Sequence, residues 1–387
     1  MRALADGLAE TLRRHRRQVH RNPELAFAEH ATADYIEAEL DRIGVSYRRV
    51  CDTGVVAVIG SGGRCIGVRA DIDALPVPEA AGRQGYRSEN EGLSHACGHD
   101  AHVAIALGLA ELLADLPDLP GTVVLYFQPA EEGPGGAQPM VDAGVLDDPA
   151  PDGVIALHVA SDYDAGVIAL REGPLTASDD TLRITIRGQG GHAAAPHLSV
   201  DPVPVAAQVI TGVQQLITRE VDPVQPVVCT FGSVHGGTRH NVIAPEVVLE
   251  GTVRTLHQGN RDLLLERIPA LVNGIAAAHR ATAEIDIERG YGVGVNDGGL
   301  IDLIEDAART VVAPEQIYRE PDPGLGAEDF FAFGSTGIPV AMFFLGVRNK
   351  EKGIDGAHHS ADFDVDEDAL PDGLAVFAQT IHRFLQH

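Results

Sequence analysis

The chain has 387 residues, 44% of them apolar and 22% charged, the balance of a soluble globular protein too long for one comfortable core. A net charge of −27 argues against nucleic-acid binding, which needs a basic footprint, and the acidic residues are spread along the chain rather than gathered in a tail. No apolar run approaches a membrane span, no apolar segment follows the arginine-rich N-terminus, and Cys51, Cys65, Cys97 and Cys229 lie too far apart for a disulfide framework, so the expected compartment is the cytoplasm.

Residues 1–43 read as two helices: Leu4, Leu8 and Leu12 recur at helical spacing, and Tyr35, Ile36, Leu40 and Ile43 repeat the pattern. The turn between them contains Pro23 and His20, the latter read as a capping or packing residue. Runs 55–59 and 65–70 are short and apolar, divided by Gly60-Ser61-Gly62-Gly63, and predict a hairpin or an adjacent strand pair. The second run leads into Asp71-Ile72-Asp73, whose carboxylates, one residue apart at a strand end, project the same way. Segment 94–102 then packs a thiol, three imidazoles and a carboxylate into nine residues before a helix to about Leu116. A Cys-x-His pair beside a helix start suits Zn²⁺, Mn²⁺ or a related divalent ion.

Run 122–127 is followed by Glu131-Glu132, and run 153–157 by His158. Three strands alternating with helices thus deliver acidic or imidazole groups past their carboxyl ends, where open α/β sheets build their sites. From about Thr181 the texture changes: 182–187 and 247–254 alternate as half-exposed strands, with helices over 203–217 and 263–279 and further strands over 227–231 and 283–287. This predicts an α+β unit at 178–288 inserted into an α/β domain made of 1–177 and 289–387. The second part of that domain holds an apolar strand over 338–345, then Ala357-His358-His359-Ser360, and a helix ending near Leu385.

The groups gathered past the strand ends are Asp71, Asp73, Cys97, His99, Glu131, Glu132, His158 and, late in the chain, His359. They are too many for one tetrahedral ion and suit two ions sharing a bridge, with water or hydroxide between them. Neighbours on an extended segment point apart, so one of Glu131 and Glu132 can hold metal while the other serves as general base.

The segments RADIDALP, SHACGHDAH, FQPAEEGPGGAQPMVDAG, GGHAAAPH, NVIAPE with GTVRT, GAEDF and HHSADF resemble those of the aminoacylase and carboxypeptidase-type di-metal amidohydrolases, in the branch that contains hippurate hydrolase and the plant auxin-conjugate hydrolases. The resemblance runs from His20 to beyond Phe363. It implies a mixed, largely parallel sheet flanked by helices, and makes the inserted unit a lid or dimerisation domain. It implies metal ligation by Cys97, His99, Glu132, His158 and His359, with Cys97 as the bridge, and two divalent ions per chain, drawn from Mn, Zn, Co or Ni. Glu131 falls on the general base and Asp73 on the acid that orients a metal-binding group, while Asp71 stands where more distant relatives carry a ligand histidine. His192 falls on the oxyanion donor, usually reaching into the partner subunit's site, and Asn241 and Arg254 fall on substrate-binding positions, where an amide and a guanidinium suit a carboxylate. His358 competes with His359 for the ligand role, and Ala361 replaces the usual proline. His95, His102, His197 and His240 read as supporting or structural.

The implied activity is cleavage of N-acyl amino acids (hippurate, N-acetyl or auxin-type conjugates) by a homodimer or higher homo-oligomer. A dipeptidase or N-carbamoyl amino-acid hydrolase would use the same site. A metal-retaining binding protein is the non-enzymatic alternative, against which the second glutamate counts. A G-x-S-x-G elbow and an HExxH helix are both absent.

Overall fold

Near the N-terminus, α1 (Ala9–Arg21) buries Leu12, His15, Arg16, Val19 and His20, the i, i+3, i+4, i+7, i+8 spacing of one helix face. The computed structural model describes residues 1–81, 85–116 and 118–386. After α2 (His30–Ile43), strands β1 (Ser46–Val50), β2 (Gly54–Gly60), β3 (Cys65–Asp71), β4 (Thr122–Gln128), β5 (Gly153–Asp164), β6 (Ile168–Leu170), β7 (Ile317–Arg319) and β8 (Val340–Arg348) form an eight-stranded sheet in the order β1-β2-β4-β3-β5-β8-β6-β7. The central strands β4, β3, β5 and β8 are parallel, while β2 runs antiparallel to β4 and β6 to β8. The fold is therefore α/β with a mixed, largely parallel sheet. Both faces of β3 and β4 are buried, which is why these strands read as continuous apolar runs.

One strand pairing differs from the expectation. β2 and β3 are not neighbours, because β4 lies between them and pairs with both. Their Gly-rich link crosses over the start of β4: Gly60 and Gly63 have φ of +77° and +62°, and a Cβ on Gly60 would lie 2.3 Å from the Gly121 carbonyl. Only glycine combines that backbone with that approach.

Between β3 and β4 runs α3 (His99–Ala114), buried nearly all round. It packs on β3, α1, α2 and the C-terminal helix α4 (Leu370–Gln386). Val103, Ile105, Leu107, Leu109, Leu112 and Leu113 are each no more than 4% exposed. Burial of each such side chain stabilises by about 1.5–3 kcal/mol, so this helix is an anchored platform for what precedes it.

The sheet and these helices belong to one compact unit, Met1–Gly173, Val295–Asp322 and Asp329–His387; the other is Pro174–Gly294 with Pro323–Glu328. The second unit is thus wider than the 178–288 suggested by the sequence. It takes in Pro323–Glu328 because Gly324 N–H donates to the Leu175 carbonyl and Ala177 N–H to the Gly326 carbonyl, each at 2.9 Å. Its antiparallel sheet has the order Val227–Gly236, Glu246–Thr255, Asp180–Arg187, Thr282–Arg289, and the helices Pro202–Glu220 and Gln258–Ala278 cover the face bearing Leu182, Ile184, Ile186, Val247, Leu249 and Val253. No helix among the described residues is long and apolar enough to cross a membrane.

Candidate metal centre

The loop after β3 is closed by a two-residue bridge: Leu75 N–H donates to Ser94 O at 3.0 Å and Ser94 N–H to Leu75 O at 3.1 Å. This brings Asp71 and Asp73 against the segment that enters α3. Gly98 separates Cys97 from His99 and caps the helix with φ +90°; a Cβ there would sit 2.3 Å from Val159 Cγ2. Past β4, Ala130 adopts φ +59°, its N–H held by Glu29 Oε1 at 2.9 Å, and the chain turns so that Glu131 and Glu132 face the same cluster. A non-glycine residue held in the left-handed region marks a place where the fold over-determines the backbone.

His99 is fully buried. Its Nδ1–H donates to the Asp73 carbonyl at 2.9 Å and lies 3.1 Å from Asp73 Oδ1. Asp73 Oδ2 accepts from Glu132 N–H at 2.8 Å, so one carboxylate holds two of the expected ligands. His99 Nε2 has no hydrogen-bond partner and faces Asp71 Oδ2 at 3.6 Å and Glu131 Oε2 at 3.9 Å. His158 Nε2 lies 3.6 Å from Cys97 Sγ, and its Nδ1–H donates to Val159 O at 2.7 Å. His359 Nε2 lies 3.0 Å from Glu132 Oε1, the spacing of two ligands on one ion. One donor atom each from Cys97, His99 and Glu132 falls within a 4.8 Å cluster, as does one each from Asp71, His99, His102 and His158.

A buried imidazole nitrogen with no partner is costly unless something binds it. The donor set of thiol, imidazoles and carboxylates is the chemistry of Zn²⁺, Mn²⁺ and their neighbours. The residues therefore fit divalent ions. Without metal, burial pushes the Cys97 thiol well up; burial opposes charging of His99, but Asp71 and Cys97 outweigh it and raise that pKa well above 6.5. Metal uptake then displaces protons, so affinity falls as pH falls. Burial keeps His158 neutral, its pKa well below 6.5.

His158 does not follow its strand, as the sequence suggested, but stands inside β5, which continues to Asp164. β3 pairs with β5 only as far as Ala156, so His158 lies two residues past the end of that pairing. His358 and His359 separate clearly. Both ring nitrogens of His358 are engaged, by Ser161 Oγ at 2.9 Å and Val159 O at 3.1 Å, whereas His359, at φ +60°, faces Glu132.

The remaining expected residues lie on the second unit. His192 is exposed on a two-stranded ribbon opposite Val242, and its Nδ1 accepts from Ala194 N–H at 3.0 Å. Asn241 adjoins it, the Asn241 carbonyl accepting from Ala193 N–H at 3.2 Å. The Arg254 guanidinium meets Asp179 Oδ1 and Leu325 O, each at 3.2 Å.

Sequence reasoning missed a buried polar frame behind the centre. Arg69 donates to Gln128 Oε1 at 2.8 Å, Asp71 Oδ2 at 2.6 Å and Asp329 Oδ1 at 3.0 Å, and Asp329 Oδ2 also accepts from Gly136 and Ala137 N–H at 2.9 Å. The signal was an arginine inside an otherwise apolar strand. His102, which the sequence marks as supporting or structural, stands three residues after His99, so both rings lie on one helix face. The rings stack with centroids 5.4 Å apart.

Residues 67–383 match the model of peptidase family M20/M25/M40. Among curated proteins, the chain is 40% identical to N-acetyldiaminopimelate deacetylase of Exiguobacterium sibiricum, covering 92% of this chain and 94% of that one. It is 38% identical to IAA-amino acid hydrolase ILR1-like 4 of Arabidopsis thaliana, covering 96% and 84%. Among solved structures it superposes on the Bacillus subtilis YXEP protein, described as a dinuclear metal binding peptidase from the M20 family, with a TM-score of 0.84 and 32% identity over 98% of this chain and 99% of that one.

Proposed function

Because the chain belongs to the peptidase M20/M25/M40 family, we propose that it is a dinuclear amidohydrolase that cleaves N-acyl amino acids to a carboxylic acid and a free amino acid. The observation that carries this reading is the fully buried His99 Nε2, without a hydrogen bond and set among Asp71, Glu131 and the other donors. In this reading Cys97, His99, Glu132, His158 and His359 hold two divalent ions. Bound there, the ions would polarise the amide carbonyl and lower the pKa of a water.

Glu131, buried beside the centre, accepts a proton from the attacking water at its carboxylate and returns it to the leaving amine nitrogen. Asp73 keeps the His99 ring and the Glu132 backbone in place. Because His192 Nδ1 accepts from a peptide N–H, neutral His192 carries its proton on Nε2, where it can donate to the oxyanion. Asn241 and Arg254 take the substrate carboxylate. Assembly into a homodimer or higher homo-oligomer through the second unit belongs to the same reading, and four free cysteines support a cytoplasmic setting.

The test is to count bound ions and assay hydrolysis of hippurate and N-acetyl amino acids with Mn²⁺, Zn²⁺, Co²⁺ and Ni²⁺. Close to two ions per chain with amide cleavage is expected. One tightly held ion with no cleavage of any acyl amino acid would sink the enzymatic reading, and turnover of dipeptides or N-carbamoyl amino acids alone would replace the substrate class.

A further inference from the structure

Three imidazoles meet on the backbone of one residue, Val159. Its N–H donates to His102 Nε2 at 2.9 Å, and its carbonyl accepts from His158 Nδ1 at 2.7 Å and from His358 Nε2 at 3.1 Å. A peptide N–H can only donate and a carbonyl can only accept, so these contacts place the protons. The His102 proton is on Nδ1, bonded to Asp71 Oδ1, and Asp71 is itself held by Arg69 Nη1 at 2.6 Å. The His158 proton is on Nδ1, leaving the Nε2 lone pair turned toward Cys97 Sγ.

This arrangement separates two histidines that otherwise look alike. Asp71, His99, His102 and His158 cluster closely enough to share an ion, but both His102 nitrogens are already engaged, one as acceptor and one as donor, so no lone pair is left for metal. His102 is 3% exposed, and its ring lies 4.6 Å from that of His158. A neutral imidazole can carry its proton on either nitrogen, and His158 protonated on Nε2 could not ligate. Without an acceptor at His102, the buried Val159 N–H would be orphaned; because the N–H and C=O of one strand residue point to the same side, the backbone at Val159 would also lose the bond that fixes the direction of the carbonyl that selects the His158 tautomer.

We propose that His102 is a positioning residue of the metal centre: fixed by Asp71, it pins the Val159 N–H, and with it the backbone that aims the Val159 carbonyl, and thereby keeps His158 in the tautomer that can bind an ion. This rests on the reading of His158 as a ligand. His102→Gln retains an acceptor for Val159 N–H and a donor for Asp71, whereas His102→Met retains bulk with neither. Two measurements apply to both variants and the wild type: histidine ¹⁵N NMR of the metal-free protein, which reads the His158 tautomer, and Co²⁺ titration followed by visible absorption.

The Nδ1–H tautomer is expected for His158 in the wild type and His102→Gln, with mixed tautomers in His102→Met. Affinity for one Co²⁺ is expected to fall about 10- to 100-fold in His102→Met, with an altered spectrum, and to return to near wild type in His102→Gln. An unchanged tautomer and affinity in His102→Met would overturn the proposal, as would a folded His102→Gln that has lost the ion. If His102→Met does not fold, His102→Gln decides alone by the same criterion. A wild type that binds no Co²⁺ would overturn the dinuclear reading and this role with it. If ions bind normally and the tautomer is indifferent to residue 102, only this inference fails.

Discussion

Glu131 and Glu132 are adjacent in sequence but differently placed. Glu132 bonds Asp73 through its backbone and meets His359 with its side chain, while Glu131 Oε2 approaches His99 Nε2 only to 3.9 Å. The left-handed turn at Ala130 lets both face one cluster. If Glu131 moves the proton, Glu131→Gln removes the base and leaves the volume. The variant is expected to fold, to keep its ions by metal analysis, and to lose kcat by about 10²- to 10⁴-fold. Turnover near wild type would reject the role.

At the scale of elements, the centre depends on how α3 begins. Its first residue is a fully buried imidazole, and the residue before it must combine a left-handed backbone with contact against β5. Gly98→Ala therefore adds a methyl at 2.3 Å from Val159 Cγ2 in a conformation that alanine resists. A destabilisation of about 1–3 kcal/mol is expected, measured by denaturant unfolding, together with weaker metal binding as Cys97 and His99 are pushed apart. Full stability with wild-type metal content would show that the segment has more slack than its packing implies. Behind this start, Arg16 joins α1 to α3 through Asp100 at 2.9 Å and reaches Asp364 at 2.6 Å, so α1 and the loop after His359 share one buried guanidinium.

Whole-molecule stability carries a pH signature from the same frame. His20 Nδ1 contacts Asp100 at 2.7 Å and Nε2 contacts Glu79 at 2.9 Å. Burial alone would lower its pKa, but the hydrogen bond and charge of Asp100 and the hydrogen bond of Glu79 outweigh that and raise it above 6.5. A raised folded pKa contributes stability that is fully present below about pH 6.5 and is lost as pH rises through the folded value. The Tm difference between wild type and His20→Gln is expected to be largest near pH 5–6 and to shrink above neutrality; a gap constant from pH 5 to 9 would mean that folding leaves the His20 pKa at its unfolded value. At the level of assembly, if His192 serves the partner's site, mixing inactive Glu131→Gln with inactive His192→Ala should restore part of the activity through heterodimers. Two inactive variants that stay inactive when mixed would place His192 in its own chain's site or outside catalysis.

Local sequence determined a good deal of this. Periodicity marked the helices and the half-exposed strands of the second unit, because a helix or a one-sided sheet must repeat its apolar face. Residue chemistry marked Cys97, His99, Glu131 and Glu132, because thiol, imidazole and paired carboxylates so close together are expensive to place without use. Other features depended on partners distant in the chain, which no local pattern records. Insertion of β4 between β2 and β3 is a property of sheet order, and apolar strands carry no label for their neighbours. The Arg69 frame joins residues from positions 69, 71, 128 and 329. Which of His358 and His359 meets Val159 and which meets Glu132, and the hydrogen bond from Val159 in β5 on which the part proposed for His102 rests, are contacts of this kind. Tertiary packing decided these because burial removes water as an alternative partner, so each donor and acceptor is answered only by whatever group the fold brings within reach.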